Sequence, residues 1–359
     1  MKKKFLFVAL ASVALASCVN DEDYSALETR QLLTFNDPII TTQTRAKVPG
    51  EIIGTYPTDE DFMVYCKKYQ GSFNGWESEG NVDFFKLIGE VAKHNGSYWA
   101  TETKHTWPLS TYNLAFAAYS PAQLNVGATV GYDETGLTIA NFATETDSDN
   151  QYDLMFSDRV IDRNNSNNGE RAVNINFHHA LSSIVFSVSK GVDNPKNYVI
   201  KSLKVVGKFH TTGTFEQNIT ENTTGSYSET SAPQWELSPE RPANETTYTP
   251  NFTEFTATTS PTIFTAGPSA LLLIPQTLYG DEKVLITFTK VEEGLADVDY
   301  VDYEIPLNEF KLSTNQSIEE WVRGNRYNYR IYFGGTPQIF FNPSVEEWID
   351  GGIASYTIK

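Results

Sequence analysis

Short segments in which apolar and polar residues alternate recur along this chain, and they restrict its fold more than any other feature. In "FMVYCKKY" (62–69), Phe62, Val64 and Cys66 share one face of an extended strand. The same alternation returns near the other end in "RYNYRIYF" (326–333). Clusters of turn-forming residues separate such segments. The pattern predicts many short β-strands, with Cys66 as a small buried hydrophobic residue.

The order of these segments divides the chain into two groups. Between them lies the polar spacer "DRNNSNNGER" (162–171), which predicts a domain boundary. We therefore expect an all-β protein with one β-sandwich domain over residues 46–171 and a second over 172–359. The predicted core of the second domain consists of Ile175, Phe177, Ile184, Phe186, Leu272, Ile286, Phe288, Tyr329 and Ile331.

Three stretches in the second group give more specific expectations. The run "VNINFHHALSSIVFSVS" (173–189) predicts one long bent strand with a single buried face. Adjacent residues of a strand point to opposite faces, so His178 and His179 cannot easily share a ligand, and His179 is expected to be a hydrogen-bonded core residue. The Thr-, Asn- and Pro-rich stretch 218–262 predicts exposed loops. A short helical turn is expected at "SIEEWV" (317–322).

The sequence carries no known catalytic motif. It lacks H-E-x-x-H, G-x-S-x-G, a P-loop and G-x-G-x-x-G, so we expect no enzyme and no cofactor. The acidic loop "ETDSDNQYD" (145–153) offers Asp147, Asp149 and Asp153 as calcium ligands, but it lacks the glycine and glutamate of an EF-hand loop, and a solvated loop is preferred. A net charge of −18, from 27 basic and 45 acidic residues, argues against nucleic acid as a partner.

The N-terminus carries a targeting pattern. Three lysines before a short apolar run predict a signal peptide over residues 1–17, since the run is too short to span a bilayer. "LASC" (15–18) resembles a bacterial lipobox, which makes Cys18 the expected site of lipidation by palmitate and diacylglycerol. The alternative is an ordinary signal peptide whose cleavage site contains a cysteine. The acidic residues 20–23 resemble the surface-export signal of Bacteroidetes lipoproteins, or form a solvated tether.

The next segment combines a strand with a linker. "QLLTFNDPII" (31–40) predicts an isolated strand interrupted by Asp37-Pro38, and "TTQTRAKVPGE" (41–51) predicts an open linker. A further strand, "IASYTIK" (353–359), closes the chain. An isolated strand before a linker and a strand at the C-terminus are the two parts that β-strand addition requires.

Several stretches together resemble the fimbrillin-like family of Bacteroidetes lipoproteins, the subunits of type V pili. They occur in the family's order and are "LASC", "TQTRA", "YDLMFSD", "VNINFHHALSSIVFSV", "LLLIPQTL", "VRGNRYNYRIYF" and "IFFNPSVEEWIDGG". The resemblance implies transthyretin-like topology in both sandwiches, export as a lipoprotein, cleavage by an arginine-specific protease and polymerisation by donor-strand exchange. It implies no catalytic residue. The short tail after Gly352 leaves stalk, tip and anchor roles open.

The resemblance implies a maturation step. Cleavage after Arg45 would remove residues 18–45, the lipidated acidic tether and the N-terminal strand, whereas cleavage at the rival Arg30 would leave the strand in place. The residues expected to leave the first domain are Leu32, Leu33, Phe35, Ile39 and Ile40. A neighbour's C-terminal strand would fill the vacated groove, with Ala354, Tyr356 and Ile358 as candidate donor residues.

The expected partners are other pilus subunits, the outer membrane through the lipid anchor, and the processing protease. The expected location is the outer-membrane surface and, after processing, the fimbrium. The alternative is a monomeric surface glycan-binding lipoprotein, in which Tyr227, Trp235 and Tyr248 of the 218–262 loops stack on sugars. Aromatic residues in loops more often pack locally. An enzyme without a known motif is the least favoured interpretation.

Overall fold

The structure is a computed structural model that describes residues 32–40, 54–69, 86–107, 113–133, 135–163, 172–219, 233–265, 269–312, 316–334 and 349–358. The described residues form β-strands, loops and short 3-10 turns, such as Ser148–Asn150 and Leu307–Glu309, and include no α-helix. The prediction of an all-β protein is confirmed. The transthyretin-like topology implied by the resemblance stays a prediction.

The described part of the first half of the chain contains eleven strands, most of which belong to one large sheet. The eleven strands are β1 (Ile39–Ile40), β2 (Gly54–Thr55), β3 (Phe62–Tyr69), β4 (Lys86–His94), β5 (Trp99–Thr101), β6 (Asn113–Ser120), β7 (Thr129–Asp133), β8 (Gly136–Ala143), β9 (Met155–Ser157), β10 (Val160–Arg163) and β11 (Asn176–His179). Nine of them form a sheet with the order β2-β1-β11-β9-β6-β3-β4-β5, in which β10 pairs with β6. Strands from both ends of this half are therefore neighbours.

Strand β3 shows how alternation determines the faces of this sheet. Phe62, Val64 and Cys66 are buried in the first hydrophobic core. Met63 and Tyr65 point the other way and are half-buried against a different cluster. The prediction for Cys66 is confirmed, and burial raises the pKa of its thiol well above the usual range.

The second half supplies the remaining strands of the fold. They are β12 (Ser182–Lys190), β13 (Asn197–Gly207), β14 (Thr212–Glu216), β15 (Gln234–Glu236), β16 (Thr246–Tyr248), β17 (Phe255–Thr256), β18 (Thr262–Ile263), β19 (Leu271–Leu273), β20 (Gln276–Thr277), β21 (Lys283–Val291), β22 (Val298–Pro306), β23 (Glu320–Trp321), β24 (Asn325–Phe333) and β25 (Ile349–Ile358). One sheet has the order β18-β12-β24-β25, with β19 on β12, and another has the order β16-β13-β21-β22, with β17 on β13. Both sheets contribute to a single hydrophobic core.

Most of the predicted second core is confirmed. The residues buried there as predicted are Ile184, Phe186, Ile286, Phe288, Tyr329 and Ile331. Leu272 is an exception, because it is half-buried against another cluster while Leu271 and Leu273 take the inward positions. A run of three leucines contains no alternation, so its sequence does not indicate which residue faces inward.

The predicted long strand over 173–189 is two strands in different sheets. Strand β11 pairs with β9 and β1, whereas β12 pairs with β24 and β19. Ile175 and Phe177 are therefore buried in the first core, and their assignment to the second core is wrong. The expectation of a single buried face is also wrong for β12, whose residues from Ser182 to Ser189 are all buried.

The two halves of the chain share a third hydrophobic cluster. Strand β8 pairs with β14, so that one four-stranded sheet, β15-β14-β8-β7, contains strands from both halves. Leu137 and Phe142 pack there together with Leu181 and Phe215. The domain boundary itself stays a prediction, because residues 164–171 of the spacer lie outside the described residues.

Two local predictions in the second half are wrong. The stretch 218–262 contributes β15, β16 and β17 to the sheets, so its described part is not simply exposed loop. Residues 316–322 form no helical turn, because Glu320 and Trp321 form β23, which pairs with β20. Trp321 is buried in the second core, and this packing overrides the weak helical tendency of the segment.

Strand β22 is an exposed edge, and among the described strands it pairs with β21 alone. Its pairing shifts between Ile286 and Phe288 of β21, which places one extra residue in β22. Asp302 in this bulge has a left-handed φ of 47°. Next to it, the side chain of Val301 is 73% exposed. The bulge interrupts the regular edge and increases its twist.

Candidate functional site

Residues 32–40, here called the closing segment, lie against the edge of the large sheet that contains β5. The Leu33 N–H donates to the carbonyl of His105 at 2.7 Å. Phe35 and Trp99 exchange two backbone hydrogen bonds, of 2.9 and 3.2 Å. The bridge between Phe35 and Trp99 is antiparallel. The predicted N-terminal strand thus pairs with β5 and the residues that follow it.

The other side of the closing segment pairs with β11 and the residues before it. The Val173 N–H donates to the carbonyl of Thr34 at 2.8 Å, and the Val173 carbonyl accepts from Asn36 at 3.0 Å. Further along, the Ile39 N–H donates to the carbonyl of Ile175 at 3.1 Å. This pairing is parallel. The closing segment is therefore hydrogen-bonded on both sides.

These two pairings join the two ends of the sheet. Strand β5 ends the strand order, and β11 lies near its opposite end, next to β1 of the closing segment. Without residues 32–40 the sheet would have two edges with unpaired N–H and C=O groups. Those edges would flank a groove open to another strand of suitable chemistry.

The side chains of the closing segment fill this groove. Leu33, Phe35 and Ile40 are buried, while Leu32 and Ile39 are half-buried. Each fully buried side chain of this size stabilises the fold by about 1.5–3 kcal/mol. A replacement strand would have to supply comparable apolar groups.

Aromatic rings form the floor of the groove. The ring of Phe35 lies edge-on to Phe62 and Phe116, at centroid distances of 6.0 and 5.9 Å. Tyr56 stacks on Phe177 at 5.2 Å. Burial raises the pKa of Tyr56, and the hydrogen bond that its hydroxyl shares with Ser120 acts in the opposite direction. The floor is therefore apolar and preformed.

Sequence reasoning did not identify three of the residues that form the groove, namely Tyr56, Trp99 and Val173. Trp99 and Val173 lie in stretches where apolar and polar residues alternate, and this alternation indicated that one face of each strand is buried. Alternation shows which face of a strand is buried, but it does not show which strands are neighbours. The neighbours here are separated by more than sixty positions, as the pairing of Phe35 with Trp99 shows.

The candidate donor residues Ala354, Tyr356 and Ile358 lie on β25, which pairs with β24 of the same chain. The pairing is parallel, with Ala354 opposite Tyr329 and Ile358 opposite Phe333. Strand β12 also pairs with β24 in parallel. All three strands therefore run in one direction, and β25 ends at the end of its sheet farthest from β11.

The predicted modification sites lie outside the described residues. Cys18, Arg30 and Arg45 are among them, so lipidation and cleavage stay predictions. Arg45 belongs to the connection between β1 and β2, whose residues Ile40 and Gly54 are paired. A cut in this connection would separate the closing segment from everything that follows.

The two adjacent histidines have separate partners, as expected for opposite faces of a strand. His178 lies 3.0 Å from Asp158, and His179 lies 2.8 Å from Asp153. The prediction that His179 is a hydrogen-bonded core residue is confirmed. Arg323 donates to the His179 carbonyl at 3.0 Å, and burial lowers the pKa of this arginine to about 10, with Asp158 opposing the shift.

The carboxylates of the acidic loop also have individual partners. Asp147 accepts a hydrogen bond from the Asp149 N–H at 3.0 Å, and Asp149 accepts from the amide of Asn251. Asp153 faces His179. Within the described residues, no group of three or more His, Cys, Asp or Glu side chains is arranged to hold a metal ion.

The aromatic residues considered for sugar stacking are used differently. Tyr248 is fully buried, its hydroxyl lies 2.8 Å from that of Thr144, and burial raises its pKa to about 12. A stacking role for Tyr248 is therefore wrong. The indole N–H of Trp235 donates to the carbonyl of Ala180 at 2.7 Å, and its ring packs inward. Tyr227 lies outside the described residues.

Comparisons with known proteins agree with this architecture. A family model described as "Fimbrillin-like" matches residues 60–348. A crystal structure of a fimbrial protein from Bacteroides vulgatus ATCC 8482 has 16% sequence identity and a TM-score of 0.50, over 83% of this chain and 94% of that one. A candidate cell adhesion protein from Bacteroides uniformis ATCC 8492 has 14% identity and a TM-score of 0.46, over 84% and 93% of the two chains. No curated protein sequence matches.

Among the described residues, none of the secondary-structure elements is a helix long and apolar enough to cross a bilayer.

Proposed function

The chain belongs to the fimbrillin-like family, and on this basis we propose that it is a surface-exported lipoprotein that matures by cleavage after Arg45 and assembles by donor-strand exchange into a pilus. Membership of this family supports a role as a fimbrial or adhesive subunit at the cell surface, which is structural rather than enzymatic. The proposals of lipidation, cleavage and strand exchange are supported by the closing segment and by the sequence.

The observation that carries the proposal is the closing segment. It pairs on both sides with elements from the rest of the chain, and it buries Phe35 completely. It is nevertheless connected to the chain that follows only through the linker 41–51. Such an arrangement supports exchange, because the segment fills a groove that another strand with similar apolar residues would also satisfy.

Cleavage after Arg45 would change the competition for the groove. Before the cut, the closing segment is held near the groove at a high effective concentration, which for short flexible linkers is about millimolar. After the cut it becomes a separate peptide that is diluted once it dissociates. A neighbour's strand can then compete for the groove, whereas in the intact precursor the closing segment excludes it.

The direction of β25 supports its role as the donor. The closing segment runs parallel to β11, and β12 leads from β11 into the C-terminal sheet. Strand β25 runs in the same direction as β12 and ends at the far end of that sheet. In a head-to-tail stack, a released β25 would enter the next groove with the direction of the closing segment.

The proposed cleavage also separates the fibre subunit from its anchor. Lipidation at Cys18 would hold the precursor at the outer membrane through acyl chains. The cut after Arg45 would remove Cys18 and the closing segment together. Release from the membrane and opening of the groove would therefore occur in one step, which prevents assembly before the subunit is free.

The test is to treat the purified precursor with an arginine-specific protease. Wild-type protein should be trimmed to begin at Ala46 and should then form ladders on native gels that survive mild detergent. Arg45→Ala should keep its closing segment and stay monomeric. Arg30→Ala is the matched control and should assemble like wild type, because cutting at Arg30 leaves the closing segment in place.

Two results would contradict this mechanism. Assembly of Arg45→Ala at the wild-type rate would show that release of the closing segment is not required. A wild-type protein that is trimmed but stays monomeric would instead favour a monomeric surface lipoprotein. Mass spectrometry of the trimmed chain identifies the cleavage site in both cases.

Lipidation has its own test. Cys18→Ala should abolish palmitate labelling and shift the protein from the membrane fraction to the soluble fraction. Cys66→Ala is the control and should leave labelling unchanged, because Cys66 is buried in the first core. Retention of Cys18→Ala in the outer membrane would contradict lipid anchoring.

A further inference from the structure

An open cleft of about 460 Å³ lies where the two halves of the chain meet. It is lined by Asn141 of β8, by residues of the stretch 209–214 and by residues of the stretch 236–246. Its volume is within the range of about 300–1,000 Å³ that is usual for small-molecule sites. We propose that this cleft binds a short neutral oligosaccharide, which would give the subunit an adhesive function that is independent of fibre assembly.

The cleft is held by interactions that do not require a ligand. The Gln276 side chain accepts from the His210 N–H at 2.8 Å and donates to the His210 carbonyl at 3.3 Å. Arg241 anchors the 236–246 stretch through hydrogen bonds to Asp281 and to the buried Glu282. A preformed site loses little conformational entropy when it binds.

Several polar side chains in the cleft are available for a ligand. Asn141, Thr212, Glu236 and Asn244 line it, and their side chains make no hydrogen bond or ion pair to another residue in the described part of the chain. Amide, hydroxyl and carboxylate groups are suited to sugar hydroxyls, each of which both donates and accepts. Pro242 adds an apolar surface for the C–H face of a sugar ring.

The charge of the cleft favours a neutral ligand over an anion. Glu236 and Glu240 contribute the negative charges. Burial, together with the nearby Arg241, lowers the pKa of His210, which therefore adds little positive charge at neutral pH. The guanidinium of Arg241 is engaged by its two carboxylate partners. Phosphate groups and sialylated or uronic-acid sugars would meet repulsion here.

The experiment uses the purified uncut chain on an array of neutral and sialylated oligosaccharides, followed by calorimetry with the neutral di- to tetrasaccharides that bind. We expect a double variant, Glu236→Gln with Asn244→Ala, to bind these sugars at least tenfold more weakly. Ala243→Trp should also block binding, because the indole fills the cleft. Glu254→Gln is the control and should bind like wild type, since Glu254 is exposed and lies outside the cleft.

The possible results separate clearly. Absence of neutral oligosaccharide binding, or binding of sialylated sugars alone, overturns the proposal. Wild-type affinity in both cleft variants overturns it as well, and so does an equal loss in Glu254→Gln. Thermal melting of each variant checks that the fold is retained. The uncut monomer is used throughout, so failure of strand exchange would leave the result unaffected.

Discussion

The closing segment and β22 are both peripheral strands, yet they are held in different ways. The closing segment pairs on two sides, and its residues Leu33 and Phe35 are buried. Among the strands that the structure describes, β22 pairs with β21 alone, and Val301 in its centre is largely exposed. The first region depends on apolar burial, whereas the second is an edge among the described strands.

If the subunit exchanges strands as proposed, this difference would favour exchange at one site. An exposed edge is a template for unwanted pairing unless a bulge or charged side chains interrupt it. Strand β22 has both, because Asp302 occupies the bulge and pairs with Lys204 at 3.0 Å. The closing segment is instead hydrogen-bonded along both of its sides, with register shifts such as the one between the bridges Leu32–Thr106 and Phe35–Trp99. The groove left by this segment would therefore offer two edges to a further strand, whereas among the described strands β22 offers one interrupted edge.

The largest expected effect in this comparison is the loss of Phe35. Phe35→Ala should lower the free energy of unfolding of the precursor by about 3–5 kcal/mol, because it leaves a cavity beside Phe62 and Phe116. Val301→Ala on β22 is the matched control and should change it by less than about 0.5 kcal/mol. Urea denaturation of the uncut chain measures both.

A similar cost for both variants would remove the basis of the comparison. Limited proteolysis sharpens the result. The Phe35→Ala precursor should release its N-terminal segment faster than wild type, because the segment leaves the groove more often. The Val301→Ala protein should be cut at the wild-type rate.

An intermediate effect is expected at the bulge of β22. Asp302→Val places a β-branched residue at a φ of 47°, which should cost about 1–2 kcal/mol. Asp302→Gly also loses the pair with Lys204 but tolerates this backbone conformation. The difference in unfolding free energy between the two variants, measured by urea denaturation, therefore isolates the cost of the left-handed backbone conformation. Equal stability would mean that the bulge does not depend on the left-handed residue.

The smallest effects are expected for exposed polar pairs in the two regions. The Asn36 amide donates to the Asn174 side chain at 2.7 Å, and both are exposed. Asn36→Ala and Lys204→Ala should each lower stability by less than about 1 kcal/mol. If Asn36→Ala were as damaging as Phe35→Ala in the same denaturation experiment, apolar burial would not be what holds the closing segment.

Alternation in the sequence predicted the buried faces of most long strands. Ile184 and Phe186 of β12 and Tyr329 of β24 are buried together as expected. Alternation does not identify the buried face where several apolar residues are consecutive, as at Leu272. It also fails where tertiary packing outweighs a local tendency, as at Trp321. Both failures arise because a local pattern does not include what packs against it.

The candidate site was predictable in part for the same reason. The isolated strand before the linker was visible in the sequence, and its residues Leu33, Phe35 and Ile40 do fill a buried groove. The assignment of Phe177 to the wrong core was unavoidable from local pattern, because β11 pairs with β1, which lies more than a hundred residues earlier. Long-range register is a property of the folded sheet, and no single segment contains it.

Strands β12, β24 and β25 share one direction, so β25 ends at the end of its sheet farthest from β11. If β25 is donated, the giving and receiving surfaces lie at opposite ends and differ from one another, so contacts between copies are heterologous. Two joined copies would still have one unfilled groove and one unused strand, as would three or thirty. Such contacts do not close into a symmetric oligomer, so growth would continue. A fibre would then end only at a subunit that lacks one of the two surfaces.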